Sequence, residues 1–136
     1  LDLYTYVLLK ERFRESVILN TYSIGDEIVG FSTAFKTTNT LDAHFIGLDY
    51  KHNRKLALYP RMLNDYVRSA INLGVGTLNL GRTASEIKST LGAKPEPLNC
   101  FVTYKRRVPS LVYKSLLDKL QMTSFKQHSA FKSKIE

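Results

Sequence analysis

Asp42 and His44 are the first candidates for acid–base chemistry, because they lie two residues apart in the strand-like segment LDAHFIGLDY at 41–50. Side chains alternate faces along a strand, so period two places Asp42 and His44 on one face with Ile46. A neutral His near a carboxylate can act as a general base at physiological pH. The alternative is a structural His and an exposed Asp near the end of the strand.

A basic segment, HNRK at 52–55, then joins this strand to the longest predicted helix. A helix N-terminus presents unpaired backbone N–H groups, which favour phosphate and other anions. We therefore predict a loop that contacts phosphate, with a solvated turn as the alternative, because Asn, His and Lys are common in turns. The candidate residues are His52, Asn53, Arg54 and Lys55.

A second candidate anion site is the segment GRTASEIK at 81–88. Thr83 and Glu86 have the spacing of a capping box, which predicts the start of a helix at this point. Arg82, Thr83 and Lys88 could bind a phosphate or carboxylate together with the free N–H groups of that helix. The alternative is a surface charge plus an ion pair with Glu86 or with Glu96.

Other chemistries find little support in the sequence. His44, His52 and His128 lack the spacing of metal ligands, so no metal site is predicted. Cys100 is the one cysteine, which excludes an intrachain disulfide and agrees with a reducing, cytoplasmic setting. We interpret this cysteine as a small buried hydrophobe rather than a nucleophile. No G-x-S-x-G motif is present to position a nucleophilic serine.

The size and charge of the chain fit one globular domain with a basic tail. The sequence has 136 residues, 43% hydrophobic and 24% charged, and no apolar run long enough to span a bilayer. Of the net charge of +8, residues 105–136 contribute +6, from eight basic and two acidic residues. Such a tail could contact nucleic acid or another polyanion, but we favour a solvated terminal helix. The first residue is Leu, which suggests a piece of a longer protein.

The hydrophobic pattern predicts an α/β (α+β) fold with a mixed, mostly antiparallel sheet and helices on both faces. Gly30 predicts a bulge or a close backbone approach in the second strand, and past Met122 the pattern fades, which predicts fraying. The predicted elements are a helix at 3–13 (with a strand as the alternative), a hairpin of strands at 17–24 and 27–35, a strand at 41–50, a helix with a stripe from Tyr59 to Ile71, a strand at 77–80, a helix from Thr83 to Gly92, a strand at 98–105 and a helix from Pro109.

This order of elements, from Val17 to Lys105, resembles the core of the GNAT acyltransferase superfamily. More narrowly, HFIGLDY at 44–50 and LGRTASEIKSTLGAKPEPL at 80–98 resemble the GNAT-like branch related to the Fem peptidoglycan aminoacyl transferases. The resemblance covers about two-thirds of the chain. It implies a GNAT-like domain at 1–108, followed by the basic helix and tail at 109–136.

The resemblance also implies an activity, N-acyl transfer from acyl-coenzyme A, such as acetyl-coenzyme A, to a small-molecule or peptide amine. The donor would lie where the strands at 41–50 and 77–80 separate, with its pyrophosphate against the loop at 52–58. His44 with Asp42 would take the proton of the amine. Tyr50 or Tyr59, which bracket the loop, could protonate the leaving thiolate, although such tyrosines more often pack.

The loop departs from the family pattern in one respect. The family motif is Arg/Gln-x-x-Gly-x-Gly/Ala, whereas this chain has Arg54-x-x-Ala57-x-Tyr59. Side chains at the glycine positions obstruct a close approach of phosphate to the backbone. This favours two alternatives: an aminoacyl-tRNA donor, as in the Fem-like branch, or a non-catalytic GNAT-fold module that binds a partner or forms a homodimer.

Overall fold

The computed structural model of the chain describes residues 3–99, 101 and 124–131. The predicted helix from Pro109 and most of the predicted strand at 98–105 lie outside these residues, and Leu98, Asn99 and Phe101 are not in a strand. Within the described ranges, no helix is long and apolar enough to cross a membrane. The elements are α1 (Leu3–Phe13), a 3₁₀ turn (Arg14–Ser16), β1 (Val17–Ile24), β2 (Glu27–Lys36), β3 (Thr40–Leu48), α2 (Tyr50–Leu56), α3 (Leu58–Asn72), β4 (Thr77–Asn79) and α4 (Ser85–Ser89).

The four strands form one sheet in the order β1-β2-β3-β4. β1 pairs antiparallel with β2, β2 antiparallel with β3, and β3 parallel with β4. The predicted mixed, mostly antiparallel sheet is therefore confirmed. The hairpin turn falls at Gly25-Asp26 as expected, and Gly25 has φ +58°, a backbone conformation that glycine adopts without a steric penalty.

Gly30 marks a bulge and a close approach, as its position in the strand pattern predicts. The β1–β2 register passes from Tyr22 opposite Gly30 to Ser23 opposite Ile28, which leaves Val29 as the extra residue. A Cβ atom at Gly30 would collide with the side chain of Met62 on α3. The helix therefore packs directly on the backbone of β2 at this point.

Helix α3 provides most of the buried core on one face of the sheet. The predicted apolar stripe is confirmed except at Ile71, which is 73% exposed. Pro60 lies in the first turn, where its missing N–H costs no hydrogen bond. The buried residues of α3 are Leu58, Met62, Leu63, Tyr66 and Ala70, which pack with Ala34 of β2 and Leu41 of β3 among others.

Helix α1 covers the opposite face of the sheet. Tyr6 meets Phe31 edge to face, with ring centroids 6.2 Å apart, and Phe31 points away from the α3 face because it follows Gly30 in the strand. Lys10 ties α1 to the sheet, since its ammonium donates to the carbonyls of Arg14 (2.9 Å) and Val17 (2.8 Å). Helices therefore lie on both faces, as predicted.

A second bulge changes which side chains of β3 face the core. Ser32 pairs with Ile46 and Ala34 with Ala43, so His44 and Phe45 together lie opposite Thr33. As a result Ala43 and Ile46 both pack against the core cluster. The strict alternation that placed Ile46 on the same face as Asp42 and His44 is therefore wrong, because the extra residue reverses the alternation beyond the bulge.

The hydroxyl of Tyr66 holds this bulge in place from the α3 side. The side chain is only 2% exposed, and its hydroxyl donates to the carbonyl of Thr33 at 2.8 Å, with the carbonyl of Phe45 at 3.3 Å as a second acceptor. Thr33 Oγ1 accepts the N–H of Phe45 at 3.0 Å. Tyr66 therefore does more than pack in the apolar stripe of α3, because its hydroxyl joins the helix to two strands.

Removing this hydroxyl tests its structural role. We expect Tyr66→Phe to lower the free energy of unfolding by about 1–3 kcal/mol, since it leaves buried carbonyl groups with fewer donors. Tyr59→Phe is the matched control, because Tyr59 is on the same helix and only half buried, and its effect should stay within about 0.5 kcal/mol. Urea denaturation followed by circular dichroism measures both, and equal losses in the two variants would contradict the role.

Alkaline pH provides a second test of the same group. Burial raises the pKa of Tyr66 to about 12 from its usual 10.0. The unfolded chain therefore loses the Tyr66 proton at a lower pH than the folded chain does. The contribution of this hydroxyl to the free energy of unfolding is fully present below pH 10 and is lost as the pH rises towards 12. Urea titrations across this interval should show a fall in unfolding free energy that is smaller in Tyr66→Phe. A fall of the same size in both proteins would assign it to other groups.

Candidate functional site

The parallel strands β3 and β4 pair over three residues and then separate. The pairs are Thr40 with Thr77, Leu41 with Leu78, and Asp42 with Asn79. Beyond Asp42, β3 continues to Leu48 with no partner on that side among the described residues. We call the space that opens there the strand fork, and it lies at the carboxyl ends of two parallel strands, where α/β sheets commonly bind ligands.

The chain leaves the fork through a glycine turn. Gly81 has φ +74°, and its N–H donates to Asn79 Oδ1 at 2.9 Å. Asn79 in turn donates through Nδ2 to Asp42 Oδ1 at 2.9 Å. A side-chain amide therefore bridges the two strands at the point of separation, and one oxygen of the Asp42 carboxylate is already bonded.

His44 lies in the bulge, two residues beyond Asp42, and is exposed. Its imidazole is flanked edge-on by the rings of Phe35 (centroids 4.9 Å apart) and Phe45 (4.2 Å). In the part of the chain that the structure describes, Asp42 and His44 form no ion pair with each other. Asp42 lies at the fork, whereas the His44 imidazole packs on Phe35 of β2, the strand on the other side of β3, and aromatic rings rather than a carboxylate orient it.

The sequence predicts a loop at 52–55, but these residues lie within helix α2. Asp49 caps it by accepting the N–H of Lys51 at 2.9 Å, and Ala57 ends it in the left-handed conformation with φ +49°. The segment 50–56 contains neither Gly nor Pro, so the cap is sufficient to start a helix there. The loop prediction is therefore wrong.

The N-terminus of α3 is also largely satisfied from within the chain. Asn53 Oδ1 accepts the N–H of Tyr59 at 3.0 Å, and the N–H of Arg61 bonds to the carbonyl of Ala57 at 3.0 Å. Pro60 has no N–H to offer. The row of free backbone donors expected at 52–58 is thus absent, and any phosphate contact of this segment stays a prediction about its side chains.

Several polar side chains around α2 are available to solvent. Lys51, Arg54 and Lys55 are exposed, and Tyr50 is 82% exposed. Tyr59 is half buried against the core cluster, and burial raises its pKa, with the nearby Tyr50 adding to the effect. Of the two tyrosines, Tyr50 is therefore the one whose hydroxyl is free to approach a ligand.

Helix α4 does not begin with the predicted capping box. Its N-cap is Ala84, in the left-handed conformation with φ +55°, and no side chain caps it. Thr83 and Arg82 are exposed, and the Glu86 carboxylate lies 3.3 Å from His128 Nε2 instead of reaching back to the cap. The left-handed turn at Ala84 moves the start of the helix past Thr83, so the capping-box prediction is wrong.

Lys88 is buried next to the fork. The residue is 6% exposed, and Nζ lies 3.4 Å from the carbonyl of Gly81. Among the described residues it forms no ion pair, so the alternative of pairing with Glu86 or Glu96 is not realised. Burial lowers the pKa of Lys88. The charge of Lys88 is therefore not presented at the surface, where an anionic ligand would meet it.

The segment 124–131 packs against α4 instead of fraying as predicted. The N–H of His128 donates to Ser89 Oγ at 2.9 Å, and Gln127 Nε2 donates to the carbonyl of Ala93 at 3.2 Å. The ring of Phe131 contacts Gly92, where a Cβ atom would collide with it. His128 also borders an open depression of about 440 Å³ that is lined by Ala84, Glu86, Ile87 and Thr90.

One group of polar side chains near the start of α2 was not predicted from the sequence. Glu27 at the start of β2, Asp49 after β3 and His52 on α2 have ligand-type atoms that all lie within 4.8 Å of one another. The i, i+3 spacing of Asp49 and His52 at a helix start was the available signal. Glu27 lies more than 20 residues away in the sequence, so only the fold brings it to the other two.

A scan against protein-family models finds no match for the chain, and a search of curated proteins also finds none. The site is therefore interpreted from its geometry.

Replacing Lys88 tests whether its buried charge lowers the stability of the folded chain. A buried cation without an anionic partner destabilises the folded state, so we expect Lys88→Met to raise the free energy of unfolding at pH 7 by about 1 kcal/mol. The gain should shrink as the pH rises towards 10.5, because wild-type Lys88 loses its charge first in the folded state. The control is the exposed Lys94→Met, and a loss of stability in Lys88→Met alone would contradict the argument.

Proposed function

We propose that this chain is a GNAT-like N-acyltransferase domain whose substrates meet in the strand fork. The supporting observation is the short parallel pairing of β3 and β4, which ends at Asp42 and Asn79 and leaves the rest of β3 open on that side among the described residues. A cleft of this kind gives an extended acyl donor access to main-chain groups of β3, and His44 is an exposed residue on that open part of β3. The proposal also rests on the resemblance of residues 80–98 to the Fem-related branch.

The proposed reaction assigns one role to each candidate catalytic side chain. The acceptor amine attacks the acyl carbonyl, His44 takes the proton that the amine loses, and the bond between carbonyl and leaving group breaks. Tyr50, exposed just past the end of β3, is proposed to return a proton to the leaving thiolate of coenzyme A or the leaving alkoxide of tRNA. Asp42 keeps the fork in shape through its bond with Asn79 rather than by orienting His44.

The donor is proposed to carry phosphate, because Lys51, Arg54 and Lys55 are exposed on α2, just past the end of β3. Acyl-coenzyme A, such as acetyl-coenzyme A, and aminoacyl-tRNA both fit this requirement. Since the backbone donors of α2 and α3 are largely used within the chain, the contacts would come from charged side chains. Such contacts suit a large polyanion like tRNA and weaken with salt.

A non-catalytic GNAT-fold module, which binds a partner or forms a homodimer, is the second candidate. The observation that favours it is the bond from Tyr59 N–H to Asn53, which fills the place where a donor phosphate would bind backbone. For either candidate we propose a cytoplasmic setting, on the basis of the single cysteine.

Isothermal titration calorimetry with coenzyme A and acetyl-coenzyme A separates these candidates. For the enzyme we expect saturable binding that weakens about tenfold in Arg54→Ala, which removes one charge-assisted phosphate contact. Arg68→Ala is the matched control, because Arg68 is 75% exposed on α3 and pairs with Asp65 at 3.3 Å.

Titration of the same protein with tRNA identifies the class of acyl donor. If coenzyme A gives no heat while tRNA binds with a steep salt dependence that is reduced in Arg54→Ala, the donor is aminoacyl-tRNA. If neither ligand binds, the enzyme proposal is wrong and the module is supported.

A further inference from the structure

We propose that Glu27, Asp49 and His52 form a binding site for a divalent transition-metal cation, with Zn²⁺ as the preferred ion. The site is independent of acyl transfer in the fork. Its three potential ligand atoms come from β2, the N-cap of α2 and α2 itself, and lie within 4.8 Å of one another. We call these residues the Glu-Asp-His cluster.

The spacing within the cluster leaves room for an ion. Asp49 Oδ2 and His52 Nε2 are 4.0 Å apart, which is too long for a hydrogen bond. Ligands at the usual 2.0–2.1 Å from tetrahedral Zn²⁺ are roughly 3.4 Å from each other. Zinc binding therefore requires the Asp49 and His52 side chains, each about one-third exposed, to approach each other by about 0.6 Å, and Glu27 is exposed at the edge of the hairpin turn and can rotate towards them.

Hydrogen bonds hold Asp49 in place, and helix α2 places His52 one turn after it. The N–H of Asp49 donates to the carbonyl of Val29 across the sheet at 2.8 Å, and Asp49 Oδ1 accepts the N–H of Lys51. That bond occupies one carboxylate oxygen and leaves Oδ2 directed towards His52. Hydrogen bonds of this kind orient metal ligands and improve affinity. The Asp49 and His52 side chains are about one-third exposed, so an ion can enter from solvent.

The donor set decides the class of metal. An imidazole with two carboxylates suits Zn²⁺ and its first-row neighbours, whereas Ca²⁺ and Mg²⁺ prefer oxygen donors alone. Three protein ligands leave one tetrahedral position for water or a substrate atom, which is the arrangement of zinc sites that take part in chemistry. Two carboxylates that converge without a cation between them repel, and a bound cation removes that repulsion.

Calorimetry of the whole chain with ZnCl₂ tests the proposal, with MgCl₂ and CaCl₂ as comparison ions. We expect saturable binding of one Zn²⁺ per chain and no saturable binding of Mg²⁺ or Ca²⁺. His52→Ala and Glu27→Gln should each weaken Zn²⁺ binding by roughly 10- to 100-fold. Lowering the pH from about 7.5 to about 5.5 should also weaken it, because protonated imidazole cannot bind metal.

Two controls exclude other zinc ligands. His128→Ala removes the histidine that pairs with Glu86, and Cys100→Ser removes the one thiol; neither should change Zn²⁺ affinity. Glu27 is exposed, so Glu27→Gln keeps the fold, and circular dichroism checks each variant. Absence of saturable Zn²⁺ binding, or binding that survives His52→Ala and Glu27→Gln but not His128→Ala or Cys100→Ser, would overturn the proposal.

Discussion

The buried hydroxyl of Tyr66 is the interaction on which the rest of this structure depends. It reaches from α3 to carbonyl groups on two neighbouring strands, Thr33 on β2 and Phe45 on β3. Those carbonyls lie at the bulge, where two residues of β3 oppose one of β2 and the ladder is interrupted. Helix α3 therefore supplies a hydrogen-bond donor to carbonyl groups at the interruption of the strand ladder. The fork between β3 and β4 opens within a few residues of this point.

The polar groups in this core make the register of the strands specific. Ser32 and Thr33 are both buried, Thr33 Oγ1 bonds to Phe45, and Tyr22 lies 3.4 Å from Ser32 Oγ. No buried side-chain nitrogen or oxygen in the described residues lacks a partner. A shift of β3 by one residue would leave several of these groups unpaired in an apolar setting, which costs more than the loss of apolar contacts alone. Satisfied polar networks of this kind favour one register over its neighbours.

The features that could be predicted from sequence are those with a local signal. Apolar residues at three- and four-residue steps gave α3, and Gly25-Asp26 between two β-rich runs gave the hairpin. The bulge at His44-Phe45 has no such signal, because Thr33 and Tyr66 create it from distant parts of the chain. The end of α2 and the start of α4 lack a local signal for a related reason. Ala57 ends α2 and Ala84 precedes α4, both in left-handed conformations that the presence of alanine does not predict.

Ala57 joins α2 to α3 through one residue, and this has a mechanical consequence. One residue offers only two soft torsion angles, so the direction of α2 relative to the core is determined by a single φ/ψ pair. The left-handed basin of an L-residue is narrow, with other basins well separated from it. Helix α2 is therefore stiff towards small rotations, and a large reorientation requires Ala57 to change basin and Asn53 to release Tyr59. The basic side chains of α2 thus move as a unit between discrete positions rather than through a continuous range.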